Sequence, residues 1–412
     1  MRITFIAPFG LGQKTTVWAR TLPLARALAD QGHNVSILIP PWDTPTDAGT
    51  QWTDGGVELI NVKLTGGTPV IVARLIRQID AFQPDIVHIV KPRAHAGLVQ
   101  WWLWQRRRMG IRDQRLEIRE QRAETGDQRL LESPVSNLQS PVSHPRLFLD
   151  IDDWERAWAA INPYPRLVAR FLAWQEEWGI RHADGITAAS RWLVERAQQY
   201  TPQTPVLYLP NGVEISAECR VQSAEAGAAT VLFFTRFVEV EPDWLAAFWQ
   251  ALHGQLPAAR LLVAGQAFQP GREALYQQQM RVTNPTSFTQ VEWLGYVKPA
   301  EVYARASCAI FPARAVPLQQ AKCSVRLATT LLHGVPVVAS AVGEQAAYGA
   351  NGAAALLPPT ATPTEFAQAV RELLQDPTQR VAMIAQARQH LVDHYQWKAL
   401  GQTLTAFYQG AS

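Results

Sequence analysis

Four carboxylates occur together in the stretch LFLDIDDWE, where Asp150, Asp152, Asp153 and Glu155 end or follow an apolar run. The run has the length and apolar character of a buried strand. A carboxylate at the end of such a strand can act as a base toward a hydroxyl group, so Asp152 and Asp153 are the candidate catalytic residues. Two alternatives stay open. Clustered carboxylates also suit Mg²⁺, and Asp152 or Asp153 could instead cap the helix that follows.

A second candidate site lies in QQAKCSVRLATTLLHGVPVVAS, which predicts a helix that stops at the glycine before a buried strand. Cys323, Ser324 and Val325 fall in its first turn, where unpaired backbone N–H groups attract an anion. Lys322 and Arg326 are four residues apart and add positive charge to one helical face. A diphosphate is the natural guest of such a site. The alternative is a basic turn that faces solvent.

A glycine-rich turn, APFGLGQKTTVWAR, separates the first predicted strand from the first predicted helix. A triphosphate-binding loop needs glycine where Pro8 and Gln13 stand, so this turn is not one. It instead lets the backbone at Gly10 and Gly12 approach a ligand at a helix start, with Lys14 placed to reach an anion. The alternative is an ordinary turn between a strand and a helix.

The order of the predicted elements indicates an α/β protein with two Rossmann-like domains that face a cleft. Strand-like runs alternate with helical patterns, which is typical of parallel, doubly wound sheets. The predicted domains are 1–204 and 205–394, and in such folds the ligand lies outside the carboxyl ends of the strands. Residues 105–145 interrupt the first domain with repeats of DQRL and SPVS. This low-complexity composition predicts a flexible insertion whose first part can be helical.

Net charge, hydrophobic content and cysteine spacing limit the classes of protein to which this chain can belong. The 412 residues carry a net charge of +3 and are 47% hydrophobic, a globular balance without an excess of basic residues that would indicate nucleic-acid binding. The three cysteines are scattered and have no metal-ligand spacing. No apolar run reaches the length of a membrane span. We therefore expect a cytoplasmic protein that binds neither nucleic acid nor a metal.

The stretch LVQWWLWQRRR, residues 98–108, joins three tryptophans to three arginines. Such an end to a helix suits an anionic membrane interface. A contact of this kind would make the protein membrane-associated from the cytoplasmic side. We favour the alternative, a core helix with a solvated basic tail.

Taken together, these stretches resemble a GT-B-fold glycosyltransferase of the family 4 type, the group 1 glycosyl transferases. The resemblance covers both halves outside the insertion, and it is carried by LPLARALADQGHNVSIL, PDIVHIVKP, ADGITAAS, LPNGVE, WLGYV and, most specifically, GVPVVAS. It implies transfer of a sugar, with retained configuration and usually without a metal, from a nucleotide-sugar to a hydroxyl of a glycan or lipid-linked acceptor. The donor would be a UDP- or GDP-sugar held mainly by the C-terminal domain. A last helix, within 395–412, would return to the N-terminal domain.

The resemblance also implies roles for individual residues. Arg236, at the end of FFTR, would contact the donor diphosphate and relieve its charge as it leaves, which is a catalytic role. Gly343 and Glu344 match a family loop that faces the donor sugar. The strand end that carries Asp152 and Asp153 helps related enzymes to bind the acceptor or the transferred sugar.

At three positions the chain departs from the family pattern. Thr329 stands where the family carries the glutamate that holds the donor ribose, and Ala321 replaces the other usual glutamate. Thr329 could still hydrogen-bond a ribose hydroxyl. The lysine that usually follows the diphosphate-binding arginine is also missing, and Lys322 or Arg326 would replace its charge. These departures leave a second hypothesis open, a non-catalytic homologue that binds nucleotide-sugars.

Overall fold

Two parallel sheets, each covered by helices, dominate the molecule. The computed structural model describes residues 1–12, 16–125, 144–159, 161–162, 164–214 and 229–410. Strands of a parallel sheet are buried on both faces, which is why most of them are near-continuous apolar runs in the sequence. The α/β class and the two Rossmann-like domains are confirmed.

Eight strands form the sheet of the N-terminal domain. They are β1 (Arg2–Ile6), β2 (Asn34–Ile39), β3 (Gln51–Asp54), β4 (Val57–Asn61), β5 (Ile86–Val90), β6 (Arg146–Ile151), β7 (Gly185–Ala188) and β8 (Val206–Tyr208). Their order is β3-β4-β2-β1-β5-β6-β7-β8. Strand β3 pairs antiparallel with β4, and the other neighbours pair in parallel. The sequence did not predict β3, because this edge strand is polar and exposed and depends on the turn at Gly55 and Gly56 for its pairing.

Helices cover both faces of this first sheet. A π-helical turn (Val17–Thr21) leads into α1 (Leu22–Ala29), and α2 (Gly67–Phe82), α3 (Ala94–Thr125), α4 (Glu155–Trp158), α5 (Arg166–Arg181) and α6 (Arg191–Tyr200) follow. Helix α3 runs into the low-complexity stretch, so the first part of the predicted insertion is helical. Its remainder, from residue 126 to 143, lies outside the described residues.

Six parallel strands form the sheet of the C-terminal domain. They are β9 (Thr230–Phe234), β10 (Arg260–Ala264), β11 (Val291–Gly295), β12 (Cys308–Phe311), β13 (Val337–Ser340) and β14 (Ala355–Leu357), in the order β11-β10-β9-β12-β13-β14. The helices are α7 (Pro242–Gln255), α8 (Arg272–Thr283), α9 (Pro299–Tyr303), α10 (Pro317–Ala321), α11 (Val325–Leu332), α12 (Glu344–Tyr348), α13 (Pro363–Gln375), α14 (Pro377–Tyr395) and α15 (Trp397–Gly410).

The last helix and the last N-terminal strand define how the two halves are joined. Helix α15 packs against α1, and its residues Leu400, Leu404 and Tyr408 belong to the core of the N-terminal domain. Strand β8 pairs with β7, so the first sheet extends to Tyr208, beyond the boundary at residue 204 expected from the sequence. A strand this short has too few residues for a pattern to assign it to either sheet. None of the helices in the described ranges has the length and apolar character needed to cross a bilayer.

Candidate active site

A cavity of about 530 Å³ lies between the two domains, at the carboxyl ends of their strands. Most of the site residues expected from the sequence line it together, namely Gly12, Asp152, Asp153, Arg236, Lys322, Cys323, Ser324, Val325, Arg326 and Thr329. They come from both halves of the chain. The fold therefore brings the carboxylates of the N-terminal domain to face the cations of the C-terminal domain.

The glycine turn contributes one of its two glycines to the cavity. Gly12 lines the wall, and a Cβ there would come within 2.9 Å of Thr44 Cγ2. Gly10 lies away from the cavity, where its N–H donates to Asp43 Oδ1 at 2.6 Å. This contact fixes the turn instead of opening it to a ligand. Lys14 lies outside the described residues.

Gly343 and Glu344 also lie away from the cavity wall. Gly343 has a φ of 52°, and a Cβ there would approach the Gln320 carbonyl oxygen to 2.8 Å, so the position favours glycine. The buried Glu344 carboxylate accepts from the Arg191 N–H at 2.9 Å and from the Tyr208 hydroxyl. Burial raises the pKa of Glu344. In this conformation Glu344 joins the two domains and is not among the residues that line the cavity.

The C-terminal wall carries three cations and one buried carboxylate. Lys322 Nζ lies 3.3 Å from Glu239 Oε1. Glu239 Oε2 accepts from the Thr235 hydroxyl at 2.7 Å and from the Arg236 N–H at 3.1 Å. Burial alone would raise the pKa of Glu239, but the Lys322 charge and the Thr235 hydrogen bond outweigh it and lower the pKa to about 2. Glu239 therefore stays ionised and neutralises Lys322.

The two arginines of this wall have aromatic rings as neighbours in place of carboxylates. The Arg326 guanidinium lies 4.4 Å from the Phe234 ring centroid, and that of Arg236 lies 5.1 Å from Phe268. Within the described residues neither guanidinium makes an ion-pair contact, but the Glu239 carboxylate, which pairs with Lys322, lies near enough to both to offset part of their charge. Burial and the nearby Arg236 charge lower the pKa of Arg326 to about 10. The wall thus holds two guanidiniums that no direct ion pair neutralises, an arrangement suited to a bidentate anion.

The helix behind this wall starts within two residues of the predicted position, but it does not include Lys322 or Cys323. Helix α11 starts at Val325 with Ser324 as its N-cap, so Lys322 and Cys323 lie in the extended link that follows α10. Lys322 has an extended backbone conformation, which ends α10 and separates it from α11. The Ser324 side chain makes no capping hydrogen bond. The first N–H groups of α11 are therefore not satisfied by a side-chain cap at the edge of the cavity.

Two further residues of this segment already have partners. Cys323 Sγ accepts from the Asn211 N–H at 3.2 Å and lies 3.0 Å from the Tyr348 hydroxyl. Burial raises the pKa of the Cys323 thiol to about 12, so it is not a thiolate nucleophile. Thr329 Oγ1 lies 3.0 Å from the Tyr303 hydroxyl. The hydroxyl that replaces a family glutamate is therefore partly engaged within the protein.

The N-terminal wall centres on Asp152. Lys91 Nζ lies 3.2 Å from Asp152 Oδ1 and 2.7 Å from Asp153 Oδ2, and the Thr16 hydroxyl donates to Asp152 Oδ2 at 3.0 Å. Burial raises the pKa of Asp152, and Asp153 and Asp150 add to the rise, while Lys91 opposes it. The resulting pKa is about 6. A carboxylate with this pKa can both accept and release a proton near neutral pH.

The contacts of the strand-end carboxylates bear on the two alternative roles, helix capping and metal binding. Helix α4 has Trp154 as its N-cap, without a side-chain cap, so neither Asp152 nor Asp153 caps it. Glu155 forms an ion pair with Arg93 at 3.0 Å. Across the part of the chain that the structure describes, no three His, Cys, Asp or Glu side chains converge as metal ligands. The carboxylates of this strand end are thus paired with cations of the protein.

Sequence reasoning missed Arg20, which lies deep in the cavity wall. Arg20 Nη2 lies 2.6 Å from Asp150 Oδ1 and 2.9 Å from the Leu209 carbonyl oxygen, and Nη1 donates to Asn211 Oδ1 at 3.1 Å. Asp150 also accepts from the Thr187 hydroxyl at 2.6 Å. The pairing joins residues far apart in the chain, so no local pattern could have found it. Arg20 fixes the amide of Asn211, a residue that itself lines the cavity.

Aromatic side chains, also missed, form much of the remaining wall. Trp158 of the N-terminal domain meets Phe268 of the C-terminal domain with ring centroids 5.0 Å apart. Lys322 Nζ lies 5.8 Å from the Trp158 ring, and Tyr296 lines the same cavity. Flat rings of this kind can stack on a nucleobase or a sugar. A tryptophan within a short helix gives no sequence signal that separates such a role from ordinary packing.

The fold is shared with solved structures of glycosyltransferases. Sucrose-phosphate synthase from Thermosynechococcus elongatus is similar with a TM-score of 0.69 and 16% identity, over 99% of this chain and 98% of that chain. HepE from Anabaena, in complex with UDP-glucose, has a TM-score of 0.65 and 14% identity over 100% of both chains. WaaG, a glycosyltransferase involved in lipopolysaccharide biosynthesis, has a TM-score of 0.61 and 16% identity over 98% of both. No curated protein matches the chain in sequence.

Two family models match the chain, one in each domain. Residues 15–212 match the glycosyl transferase 4-like domain, and residues 228–376 match the glycosyl transferases group 1. The cavity lies between the two matched regions and is lined by residues of both. The chain therefore belongs to the family 4-like glycosyltransferases of the GT-B fold.

Proposed function

We propose that this glycosyltransferase takes its sugar from a nucleotide-sugar whose diphosphate lies against Arg236, Arg326 and the start of α11. The observation that carries the proposal is the pair of half-buried guanidiniums that have no direct ion-pair partner among the described residues. Their mutual repulsion would be relieved by a bound dianion. The leaving diphosphate gains negative charge as the sugar departs, so the same two residues would also favour the reaction. A UDP- or GDP-sugar is the proposed donor, and HepE was solved with UDP-glucose.

The remaining donor contacts would come from residues that line the same wall. Cys323, Ser324 and Val325 would present backbone groups to the phosphates, and Thr329 would contact the ribose. Lys322 would add charge beside the diphosphate, although Glu239 already pairs with it. Gly12 would allow the backbone of the N-terminal domain to approach the donor from the other side.

We propose that Asp152 receives the proton of the acceptor hydroxyl, with Asp153 and Lys91 holding it in place. The carboxylate lies in the cavity, and its pKa of about 6 leaves it ionised at neutral pH. The acceptor would be a hydroxyl of a glycan or of a lipid-linked glycan, in glycan or glycolipid synthesis in the cytoplasm. Retention of configuration at the transferred sugar is part of the same proposal. WaaG, with the same fold, is described as acting in lipopolysaccharide biosynthesis.

A second candidate function is that of a non-catalytic nucleotide-sugar-binding homologue. Its support is the loss of two carboxylates that the family uses: Ala321 is fully buried and apolar, and the Thr329 hydroxyl lies against Tyr303. A hydroxyl holds a ribose less strongly than a carboxylate does. Turnover, and not binding, separates this candidate from the enzyme.

The test is turnover across UDP-, GDP-, ADP- and TDP-sugars, followed by NMR of the anomeric proton of the product. We expect one nucleotide class to support hydrolysis or transfer with retained configuration, and Arg236→Ala to reduce kcat/KM by 10²-fold or more. Arg260→Ala, at an exposed position of β10, is the matched control and should leave the rate unchanged. Binding without turnover on a broad acceptor panel would favour the non-catalytic homologue. Binding to none of the donors would contradict the proposal.

A further inference from the structure

Helix α5 turns an apolar and aromatic face to solvent. Leu167, Phe171 and Trp174 are 80%, 42% and 48% exposed, and with Trp178 they recur at the spacing of one helical face. The opposite face of the helix is buried in the domain, as Leu172 shows. Surface helices normally direct charged and polar residues outward. The outward face of α5 is therefore without the polar cover expected of a helix in water.

The exposed face continues onto α3 through a row of ring contacts. Phe171 stacks on Trp174 with ring centroids 5.8 Å apart, Trp174 lies 6.3 Å from Trp178, and Trp178 meets Trp104 of α3 at 5.5 Å. The Arg108 guanidinium lies 4.7 Å from the Trp104 ring centroid. We call Leu167, Phe171, Trp174, Trp178 and Trp104 the aromatic stripe. Its rings are held in place by each other, so it is a built surface and not a set of scattered side chains.

Exposed arginines accompany the aromatic stripe. Arg166 and Arg170 are exposed, lie four residues apart on α5 and are next in sequence to Leu167 and Phe171. Among the described residues neither forms an ion pair, whereas Glu177, the acidic residue nearest to the stripe on α5, is paired with Arg156. The stripe is therefore flanked by uncompensated positive charge.

The arginines of residues 98–108 are less available than the sequence indicated. Arg106 pairs with Asp80 at 2.6 Å, and Arg107 pairs with Asp184 at 2.8 Å. Their charge is thus largely matched within the protein. Within the described part of the chain, the unpaired charge of this region therefore lies on Arg108 of that stretch and on Arg166 and Arg170 of α5.

We propose that the aromatic stripe docks on an anionic membrane surface. Tryptophan and phenylalanine insert at the boundary between headgroups and acyl chains, and arginines beside them bind lipid phosphates. Charge complementarity favours this occupant over a second copy of the chain, which would bring the arginines of α5 toward each other. Helix α5 packs against α4, which carries Trp158, a residue of the cavity wall. Docking would therefore hold the cavity near acceptors in the membrane.

The experiment is co-sedimentation of the full chain with vesicles of phosphatidylcholine alone or with about one third phosphatidylglycerol. We expect binding to the anionic vesicles, little binding to the neutral ones, and loss of binding in high salt. Phe171→Ser with Trp174→Ser should lower the partition coefficient about tenfold or more, and so should Arg166→Glu with Arg170→Glu. Binding is measured without donor or acceptor, so its failure would not affect the proposed transferase activity.

Matched controls use equally exposed residues of the C-terminal domain. Leu275→Ser with Val282→Ser on α8, and Arg260→Glu with Arg388→Glu, should bind anionic vesicles as the unaltered protein does. Circular dichroism and the Tm verify that every variant is folded. Equal binding of the α5 and control variants would overturn the proposal. So would equal binding to neutral and anionic vesicles, or a stable dimer that the α5 substitutions dissociate.

Discussion

At the scale of single residues, the protonation of Asp152 controls the proposed chemistry. Its pKa is raised to about 6, mainly by burial, and the ionised form is the one that accepts a proton. We predict that kcat/KM rises as pH increases through about 6 and is level above it. Asp152→Asn should lower kcat by 10²-fold to 10⁴-fold and remove this rise. The measurement is the pH dependence of kcat/KM in both proteins.

Asp153→Asn is the control for this prediction. Asp152 and Asp153 share the Lys91 ammonium, and Asp153 Oδ2 is the nearer of the two to Lys91 Nζ, at 2.7 Å. Its loss removes one negative neighbour, so the rise in kcat/KM should move to lower pH while most of the rate is retained. An Asp152→Asn variant that keeps the rate and pH profile of the unaltered protein would show that another group is the base.

The residues that could be predicted from sequence are those whose neighbours are also near in the chain. The start of α11 carries Ser324 as its N-cap, followed by Val325 and Arg326, and all three line the cavity. Arg20 could not be predicted, because its partner Asp150 is remote in sequence and the ion pair forms when β6 and the π-helical turn meet. Glu239 was missed for a similar reason, because its role depends on Lys322 of another segment.

At the scale of secondary structure, the end of β10 depends on a glycine. Gly265 has a φ of 132°, and a Cβ there would lie 1.8 Å from the Thr235 carbonyl oxygen. Gly265→Ala must therefore displace the end of β9, next to Arg236. We predict a lower Tm and weaker UDP binding. The measurements are thermal unfolding and calorimetry, with Gly254→Ala on α7, where a Cβ meets nothing within 4 Å, as the control. Equal effects of the two substitutions would contradict this role.

Strands and helices were predicted where the segment has its own apolar pattern. They were missed where contacts with distant segments determine the structure. Strands β1, β5 and β9 are mostly apolar and were identified. Strand β3 has no apolar pattern of its own and exists through its pairing with β4. Helix α10 was not predicted as a separate element, because the extended backbone at Lys322 that ends it places the Lys322 side chain on Glu239, and no local residue requires this.

At the scale of the whole molecule, α15 ties the end of the chain to the first domain through a buried histidine. His88 Nδ1 lies 2.5 Å from the Tyr408 hydroxyl, and Nε2 lies 3.2 Å from Thr187 Oγ1. Burial lowers the pKa of His88 to about 4 from 6.5. The unfolded chain takes up a proton below 6.5 and the folded protein does not, so stability falls as pH decreases from 6.5 to about 4.

This linkage gives a prediction for acid unfolding. His88 alone should remove roughly 3 kcal/mol of the free energy of unfolding over that interval. His88→Gln keeps hydrogen-bonding capacity but cannot titrate, so its stability should depend less on pH. The measurement is urea unfolding at several pH values between 4 and 7 for both proteins. The same pH dependence in the two proteins would contradict the account of His88.

The arrangement of the two domains was predicted in outline, because the alternation of strands and helices and the family resemblance both require a cleft. The contacts that hold its sides together were not. The Glu344 carboxylate receives hydrogen bonds from Arg191 and Tyr208 across the cleft, and Trp158 packs on Phe268. These residues lie in opposite domains, and no pattern within either half could pair them.

The central claim is that two unpaired arginines of the cavity hold the diphosphate of a nucleotide-sugar, and calorimetric titration with UDP and GDP tests it most directly. We predict binding of at least one nucleotide by the unaltered protein and a Kd at least tenfold higher for Arg236→Ala and for Arg326→Met, since each substitution removes a charged hydrogen-bond donor. Lys298→Met, which removes an exposed cation next to the cavity residue Pro299, should leave the Kd unchanged. Equal affinities for all four proteins, or no binding of either nucleotide, would contradict the claim.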